Sequence, residues 1–234
     1  MRLSAMRERA KQRHGNRSRL PDDLIDDYAS GHSWLDVGCM WRIDGRDAFR
    51  AEELGATRVT AFDAMHPTEG FTAELAKRRS KVEFVHGDIH RRETFDSLGT
   101  HDVVWCSGLL YHTPFPALAV QHLAQLAGSY LILGNKTLPD AFGLPQGAVF
   151  YPGLSQEEAR VYSDFTGGNA GPPVDPNPYA NWWWGLTPSV TCALVDVMAP
   201  LQEGRPSWEI VETLALPRGQ VEDDFFLVAK RIAA

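Results

Sequence analysis

The chain has 234 residues, of which 44% are hydrophobic and 23% are charged, so its composition is that of an ordinary globular domain. No apolar run approaches the roughly 20 residues that a membrane-spanning helix needs. The basic N-terminus lacks the apolar stretch of a secretory signal. The three cysteines, Cys39, Cys106 and Cys192, are widely spaced, which argues against a disulfide framework and favours a reducing, cytoplasmic location.

Charge is distributed unevenly along the sequence. Residues 1–20 carry seven basic side chains and one acidic one, a net charge of +6, whereas the whole chain carries −7. The rest of the chain therefore carries −13 and would repel a phosphate backbone, which argues against a wide nucleic-acid footprint. We interpret residues 1–30 as a basic N-terminal helix or arm that precedes the main domain, residues 31–234.

Short apolar runs alternate with helical patterns between residues 33 and 134. Strands are predicted over 33–38, 58–63, 81–88, 101–107 and 129–134, and helices over 47–54, 69–79 and 116–126. This alternation predicts right-handed crossovers and a parallel sheet with helices on both faces. Two further strand-like runs, 208–216 and 224–231, are joined by Pro217-Arg218-Gly219, and so short a connection requires an antiparallel hairpin.

Residues 139–180 have a different composition, because Pro and Gly account for 13 of these 42 residues. Such a segment is not expected to form much regular structure. Long loops inside a domain are usually functional or disordered, and we predict that this one is a lid or substrate loop. A helix is predicted to follow it, from Thr187-Pro188-Ser189 to about Met198.

Ligands of open parallel sheets bind outside the carboxyl ends of the strands, which selects a set of candidate residues. Gly38, in the turn after the first strand, lets the backbone pass close to a ligand; the alternative is an ordinary strand-to-helix turn. Asp63 follows 25 residues later, where a carboxylate can accept hydrogen bonds from both ribose hydroxyls; the alternative is a helix-capping acid. Asp88 ends the third strand and could contact adenine.

Two other ligand classes are disfavoured. The first turn lacks the GxGxxG pattern of pyrophosphate-binding sites. His86-Gly87-Asp88-Ile89-His90 offers two imidazoles around a carboxylate, but no neighbouring ligand cluster supports a metal site. We therefore predict no metal.

Four segments, taken in order, resemble the successive motifs of class I S-adenosylmethionine (SAM)-dependent methyltransferases. They are Trp34-Leu35-Asp36-Val37-Gly38-Cys39, Val59-Thr60-Ala61-Phe62-Asp63, Val85-His86-Gly87-Asp88, and the run from Asp102 to His112. The resemblance implies a Rossmann-like, doubly wound, mostly parallel seven-stranded sheet with an antiparallel C-terminal hairpin. It also implies SAM as the cofactor and S-adenosylhomocysteine (SAH) as its product.

A closer resemblance concerns the acceptor side. Leu110-Tyr111-His112, and Asn181-Trp182-Trp183-Trp184 followed by Thr187-Pro188, are similar to a subgroup related to the tRNA wobble-uridine carboxymethyltransferase. The similarity to this subgroup implies that the acceptor lies beside Tyr111, His112, Asn181, Trp182 and Trp183.

The family resemblance also implies cofactor contacts. These would come from Asp36, Gly38, Cys39 and Gly45 at the methionine end, Asp63 and Ala64 at the ribose, Asp88 and Ile89 at adenine, and Cys106 and Ser107 at the floor. The first motif departs from the family pattern, because Met40 and Arg42 stand where its second and third glycines are usual. That departure allows an altered or degenerate cofactor site.

Methyl transfer needs little covalent chemistry from the protein, since the sulfonium carbon is already electrophilic and positioning does much of the work. Where the acceptor must lose a proton, His112 is the best candidate for the base; the alternative is a structural histidine. The Trp182-Trp183-Trp184 triplet either stacks on a flat or cationic acceptor or latches the Gly/Pro-rich loop onto the domain.

The leading hypothesis is a SAM-dependent methyltransferase that acts on an oxygen or nitrogen of a small-molecule acceptor. An RNA-modifying transferase is a second hypothesis, favoured by the basic arm and the subgroup resemblance but opposed by the acidic body. The third is a non-catalytic SAM-fold binding protein with a degenerate first motif, suggested by Met40 and Arg42. The sequence leaves the oligomeric state open.

Overall fold

The computed structural model describes residues 19–140, 146–152, 154–155, 157–158, 182–199, 207–217 and 223–232. Its helices are α1 Pro21–Tyr28, α2 Arg46–Glu53, α3 Glu69–Arg78, α4 Arg92–Leu98, α5 Pro116–Leu126 and α6 Pro188–Ala193, the last continued by a π-helical turn at Leu194–Met198. Its strands are β1 Ser33–Val37, β2 Arg58–Asp63, β3 Glu83–His86, β4 His101–Ser107, β5 Ala127–Thr137, β6 Ala148–Phe150, β7 Trp184–Leu186, β8 Trp208–Pro217 and β9 Asp223–Arg231.

Seven of the strands form the main sheet, in the order β3-β2-β1-β4-β5-β9-β8. Strands β1 to β5 are parallel to one another, whereas β9 runs antiparallel to both β5 and β8. The chain proceeds from β1 outward through β2 and β3, then returns to the other side of β1 with β4. The predicted doubly wound, mostly parallel sheet with an antiparallel C-terminal hairpin is therefore confirmed.

Two short strands, β6 and β7, extend the sheet and were not predicted. Thr137 at the end of β5 pairs with Asp223 of β9 and also, in parallel, with Leu186 of β7. A strand has two hydrogen-bonding edges, and β9 occupies one edge of β5. β7 must therefore lie on the other edge of β5, which it shares with β4, beyond the point where β4 ends at Ser107. β6 pairs antiparallel with β7. The β6–β7 ribbon thus continues the sheet beyond the carboxyl end of β4.

Both faces of the sheet are covered by helices, as the long apolar strands require. The core between the sheet and α1, α2 and α3 contains Trp34 and Trp105, whose rings stack with centroids 5.8 Å apart. The opposite core, under α4, α5 and the π-helical turn, contains Leu35 and Val104. Successive residues of one strand therefore enter different cores, because strand side chains alternate between faces.

Helix α1 is part of the domain's packing. It begins with Pro21 at its first turn, and Leu24, Ile25 and Tyr28 are buried in the core that it shares with α2. Its polar side is tied to α2 as well, since Nη2 of Arg50 donates to Asp26 at 2.6 Å. Residues 1–18 of the basic arm and most of the predicted lid lie outside the described residues. No helix among the described residues is long and apolar enough to cross a membrane.

Candidate active site

A pocket of about 570 Å³ opens at the carboxyl ends of β1 to β4. The strand order reverses between β1 and β4, and ligands of doubly wound sheets bind at that reversal. The volume is in the range of small-molecule sites. Nine of the predicted site residues line the pocket: Gly38, Asp63, Ala64, Asp88, Ile89, Ser107, Tyr111, His112 and Trp182.

Two predicted site residues, Cys39 and Cys106, are buried in the hydrophobic cores instead of lining the pocket. Burial raises the pKa of both thiols, with the carboxyl groups of Asp36 and Asp63 adding to the effect. Cys106 and Ser107 are consecutive residues of β4, so their side chains point to opposite faces and only Ser107 reaches the pocket.

The other described residues that were predicted for the site but do not line the pocket are Asp36, Gly45 and Trp183. Asp36 is buried below the first turn. Gly45 has a φ of 73° and packs so closely against the Phe71 ring that a Cβ would overlap it. Trp183 contributes backbone bonds, donating its N–H to the carbonyl of Tyr111 at 2.8 Å. Asn181 lies outside the described residues.

Asp63 is the acid at the end of β2, and backbone amides hold it in place. Oδ2 accepts from the N–H of Met40 at 2.7 Å, and Oδ1 accepts from the N–H of Met65 at 2.8 Å. Burial raises its pKa, although these amides oppose the rise. Because each carboxylate oxygen can accept two hydrogen bonds, Asp63 retains capacity for the two hydroxyls of a ribose.

A second buried acid, Asp36, lies beneath the turn that follows β1. Burial, and then the nearby charge of Asp47, raise its pKa well above the usual range, while the N–H of Ala48 in the first turn of α2 opposes the shift. Asp47 itself accepts from Nε of Arg46 at 2.8 Å and from Nε1 of Trp105 at 3.2 Å. The acids below the turn are thus held by α2 and the core.

The part of the pocket around Asp88 contains two residues that the sequence did not single out as ligand contacts, His90 and Thr113. Asp88 accepts from Nδ1 of His90 at 2.8 Å, and Nε2 of His90 lies 2.7 Å from Oγ1 of Thr113. Oγ1 of Thr113 also accepts from the N–H of Phe115 at 3.1 Å. This series of hydrogen bonds joins the loop after β3 to the loop after β4. In the sequence, only the run Asp88-Ile89-His90 points to it.

The side of the pocket over β4 and β5 is aromatic. The rings of Tyr111 and Trp182 stack with centroids 4.4 Å apart and an interplanar angle of 29°. The His112 ring lies 5.5 Å from the Trp182 ring, edge to face. Tyr151, which follows β6, completes a small buried cluster with Tyr111 and Trp182. Lys136, near the end of β5, also lines the pocket.

These residues fit SAM by the chemistry of their donor and acceptor groups. Asp63 offers a carboxylate at the position expected for a ribose, and Asp88 and Ile89 border the neighbouring strand end. Gly38, with a φ of 83°, brings the backbone of the first turn to the pocket wall. Gly38, Asp63 and Asp88 of the pocket lining were predicted from the sequence, while His90, Thr113, Lys136 and Arg42 were not among the predicted contacts.

Comparison with known proteins identifies the domain. Residues 35–130 match a family model described as a methyltransferase domain. That span runs from β1 into β5 and includes Gly38, Asp63, Asp88 and Ser107 of the pocket. No curated protein matches the sequence.

Several solved structures with a similar fold are methyltransferases or are bound to SAH. The SAH-bound N-terminal domain of EvdMO1, crystallised in the presence of D-fucose, is 16% identical with a TM-score of 0.60, over 99% of this chain and 97% of that one. The 1,6-didemethyltoxoflavin-N1-methyltransferase of Burkholderia thailandensis is 16% identical with a TM-score of 0.60, over 99% and 85%. The magnesium protoporphyrin IX methyltransferase of Synechocystis PCC 6803 is 15% identical with a TM-score of 0.56, over 99% and 83%.

At these identities the solved structures establish the fold, and the family model describes residues 35–130 only. The strand order, the pocket at the strand reversal and the acid at the end of β2 agree with both. Residues 35–130 therefore match a methyltransferase domain, and the described part of the chain has the fold of solved methyltransferases bound to SAH.

Proposed function

We propose that the enzyme transfers the methyl group of SAM to an oxygen or nitrogen of a small-molecule acceptor. The observation that supports this most directly is the aromatic side of the pocket, where Tyr111, His112 and Trp182 border a space of limited size. Aromatic side chains suit a flat organic ligand, because ring faces contribute both apolar area and stacking. A pocket of this size does not by itself provide the extended basic groove that a polynucleotide needs.

The proposed cofactor contacts follow the strand order. Asp63 would accept from the ribose, Asp88 and Ile89 would border adenine, and Gly38 would lie at the methionine end. When bound, SAM supplies an electrophilic methyl group on a sulfonium. The protein's part is then to align the acceptor and exclude water, which can account for much of the rate enhancement.

The proposed role of His112 is to accept the proton that the acceptor loses. Its ring borders both Tyr111 and Trp182, at centroid distances of 4.4 Å and 5.5 Å, so it faces the space that the acceptor would occupy. Histidine titrates near neutral pH, which suits a general base. An acceptor that is already deprotonated would need His112 only for positioning.

The solved neighbours support a small acceptor. Their names refer to D-fucose, to 1,6-didemethyltoxoflavin and to magnesium protoporphyrin IX, which are chemically unrelated small molecules. By this analogy the fold tolerates diverse acceptors, so the neighbours suggest the size class of the acceptor and not its identity.

Two alternative functions have specific motivations. An RNA acceptor is favoured by the net +6 of residues 1–20 and by the subgroup resemblance. A non-catalytic SAM-binding protein is favoured by Met40 and Arg42 in the first motif. The −13 of the remaining chain and the enclosed aromatic wall favour the small acceptor over RNA.

Calorimetric titration with SAM and SAH, followed by a transfer assay, tests the proposal. Methyl-labelled SAM is incubated with the protein and either a small-molecule extract or total RNA, and the label is then located. Label in small molecules is the expected result. Label in RNA would establish the second function, and cofactor binding without transfer to either pool would favour the third. The His112→Ala protein is the matched control for background transfer.

A further inference from the structure

We infer that Arg42 binds the carboxylate of SAM at the methionine end of the site. Arg42 stands at a position where the family motif usually has a glycine. This inference concerns the cofactor, so it goes beyond the proposed acceptor. It also assigns a role to the departure of the first motif from the family pattern, since the motif is then altered and not degenerate.

Arg42 is placed for this role by the turn between Gly38 and Gly45. It lines the pocket and is exposed. Within the part of the chain that the structure describes, its guanidinium has no hydrogen bond or ion pair. Its neighbour Arg46 differs, because it lies 2.8 Å from Asp47 and 3.8 Å from Asp22. Arg42 is therefore the uncommitted cation of this turn.

The backbone of Arg42 is unfavourable for any residue with a side chain. Its φ is 62°, in the left-handed region, where an L-residue other than Asn or Asp pays a steric cost that glycine avoids. Asp44 of the same turn also has a positive φ of 48°, but its Oδ1 accepts from Oγ1 of Thr68 at 2.6 Å. Among the described residues no such side-chain contact compensates Arg42, and left-handed outliers often occur at ligand sites.

The charge of the pocket determines what Arg42 can bind. Asp47, Asp63 and Asp88 all line the wall, and three acids would repel an anionic group unless a cation is present. The carboxylate is the only anionic group of SAM. Because Asp63 and Asp88 mark the nucleoside end over β2 and β3, the methionine end extends toward the turn after β1. A guanidinium there can bind the carboxylate through two parallel hydrogen bonds.

The test compares two ligands that differ in the methionine tail. SAH carries the carboxylate, whereas 5′-methylthioadenosine has the same nucleoside and sulfur but no amino-acid tail. Calorimetry of the Arg42→Gly protein should show SAH binding weakened by about tenfold or more, as expected for loss of a charge-assisted contact. Binding of 5′-methylthioadenosine should stay within about twofold, and Arg42→Lys should retain part of the SAH affinity.

A matched control is available in Arg79, which ends α3. It is also exposed and left-handed, with a φ of 52°, but it lies outside the pocket lining. Arg42→Gly and Arg79→Gly should each keep or raise the Tm of the free protein, because glycine relieves the backbone cost. Only Arg42→Gly should affect SAH.

Three outcomes would overturn the inference: unchanged SAH affinity in Arg42→Gly, equal losses for both ligands, or a similar loss in Arg79→Gly. They are separate from a failure of the acceptor proposal, which would leave SAH binding by the unmodified protein intact. A lower Tm of the free Arg42→Gly protein, with both ligands weakened alike, would indicate a purely structural role for Arg42.

Discussion

Nε2 of His90 lies 2.7 Å from Oγ1 of Thr113, and this contact joins the loop after β3 to the loop after β4, which carries Tyr111 and His112. Asp88 accepts from Nδ1 on the other side of the ring. A carboxylate accepts but does not donate, so Nδ1 carries the hydrogen and Nε2 accepts from the Thr113 hydroxyl. Both ring nitrogens are therefore used to hold two loops together.

Thr113→Val should destabilise the protein by about 1–3 kcal/mol, because it leaves Nε2 of His90 and the N–H of Phe115 without a buried partner. Thr113→Ser keeps the hydroxyl and should retain most of the stability. Urea unfolding measures the difference. Nitrogen-15 NMR of the histidines should report the Nδ1–H tautomer for His90 in the unmodified protein. Equal stability of the two variants would show that the contact contributes nothing.

Asp63→Ala should weaken SAM binding by at least about tenfold, since two charge-assisted hydrogen bonds to the ribose are lost together. The same change also frees the amides of Met40 and Met65, so the Tm of the free protein should fall. Asp63→Asn preserves the shape and separates the two effects. The SAM affinity is measured by calorimetry on folded protein. Unchanged affinity in both variants would show that Asp63 does not bind the ribose.

The tryptophans should differ in what they contribute. Trp182 is 7% exposed and packs against Tyr111 and Tyr151, so Trp182→Ala should cost about 3–5 kcal/mol of stability. Trp183 is less buried than Trp182, so Trp183→Ala should cost less. If Trp183→Ala weakens acceptor binding without lowering the Tm, the residue contacts the acceptor; a lower Tm with normal kinetics would make it a latch.

Stability should fall in mild acid because of His101. Burial lowers the pKa of this histidine from 6.5 to about 4, with Arg58 contributing. Between pH 6.5 and pH 4, His101 is protonated in the unfolded chain but not in the folded protein. It therefore leaves the free energy of unfolding unchanged above pH 6.5 and lowers it by about 3 kcal/mol once the pH reaches 4. Urea unfolding from pH 7 to 4 should show a shallower decline for His101→Gln. Parallel curves would contradict the assignment.

His112→Ala should lower kcat by about 10²-fold if the residue is a general base, with SAH affinity nearly intact. The pH–rate profile should then lose a limb near neutral pH. A change confined to the acceptor KM would instead indicate a positioning role. The assay uses the acceptor identified from the labelled extract, and Thr113→Ser serves as a variant of the same loop that keeps its hydrogen bonds.

Patterns within single segments predicted much of this molecule. The parallel strands, the helix at Pro116–Leu126 and the C-terminal hairpin follow from apolar periodicity and turn residues, and Asp63 and Asp88 follow from their places at strand ends. The β6–β7 ribbon did not follow, because three-residue strands carry too little periodicity to be detected. Helix α4 was also missed, since Arg92–Leu98 has few apolar positions.

Predictions of individual contacts were less complete, for a physical reason. A motif names consecutive residues, but a strand turns them to alternate faces, so Ser107 reaches the pocket while Cys106 enters the core. Contacts such as His90 with Thr113 join residues that are 23 apart, and no local pattern encodes that approach. The sequence shows that Arg42 departs from the first motif of the family, but only the structure shows that its backbone is left-handed.

The double pairing of Thr137 suggests how such an enzyme could acquire new substrates. From Gly38 to Thr113 the chain supplies most of the pocket lining, whereas Lys136, near the end of β5, and Trp182, just before β7, come from a later part of the chain. That later part is attached to the sheet at one strand end, where Leu186 meets Thr137. Segments inserted there would change the wall around Trp182 and leave the lining from Gly38 to Thr113 in place, so the proposed acceptor side of the pocket can vary independently of the proposed cofactor side.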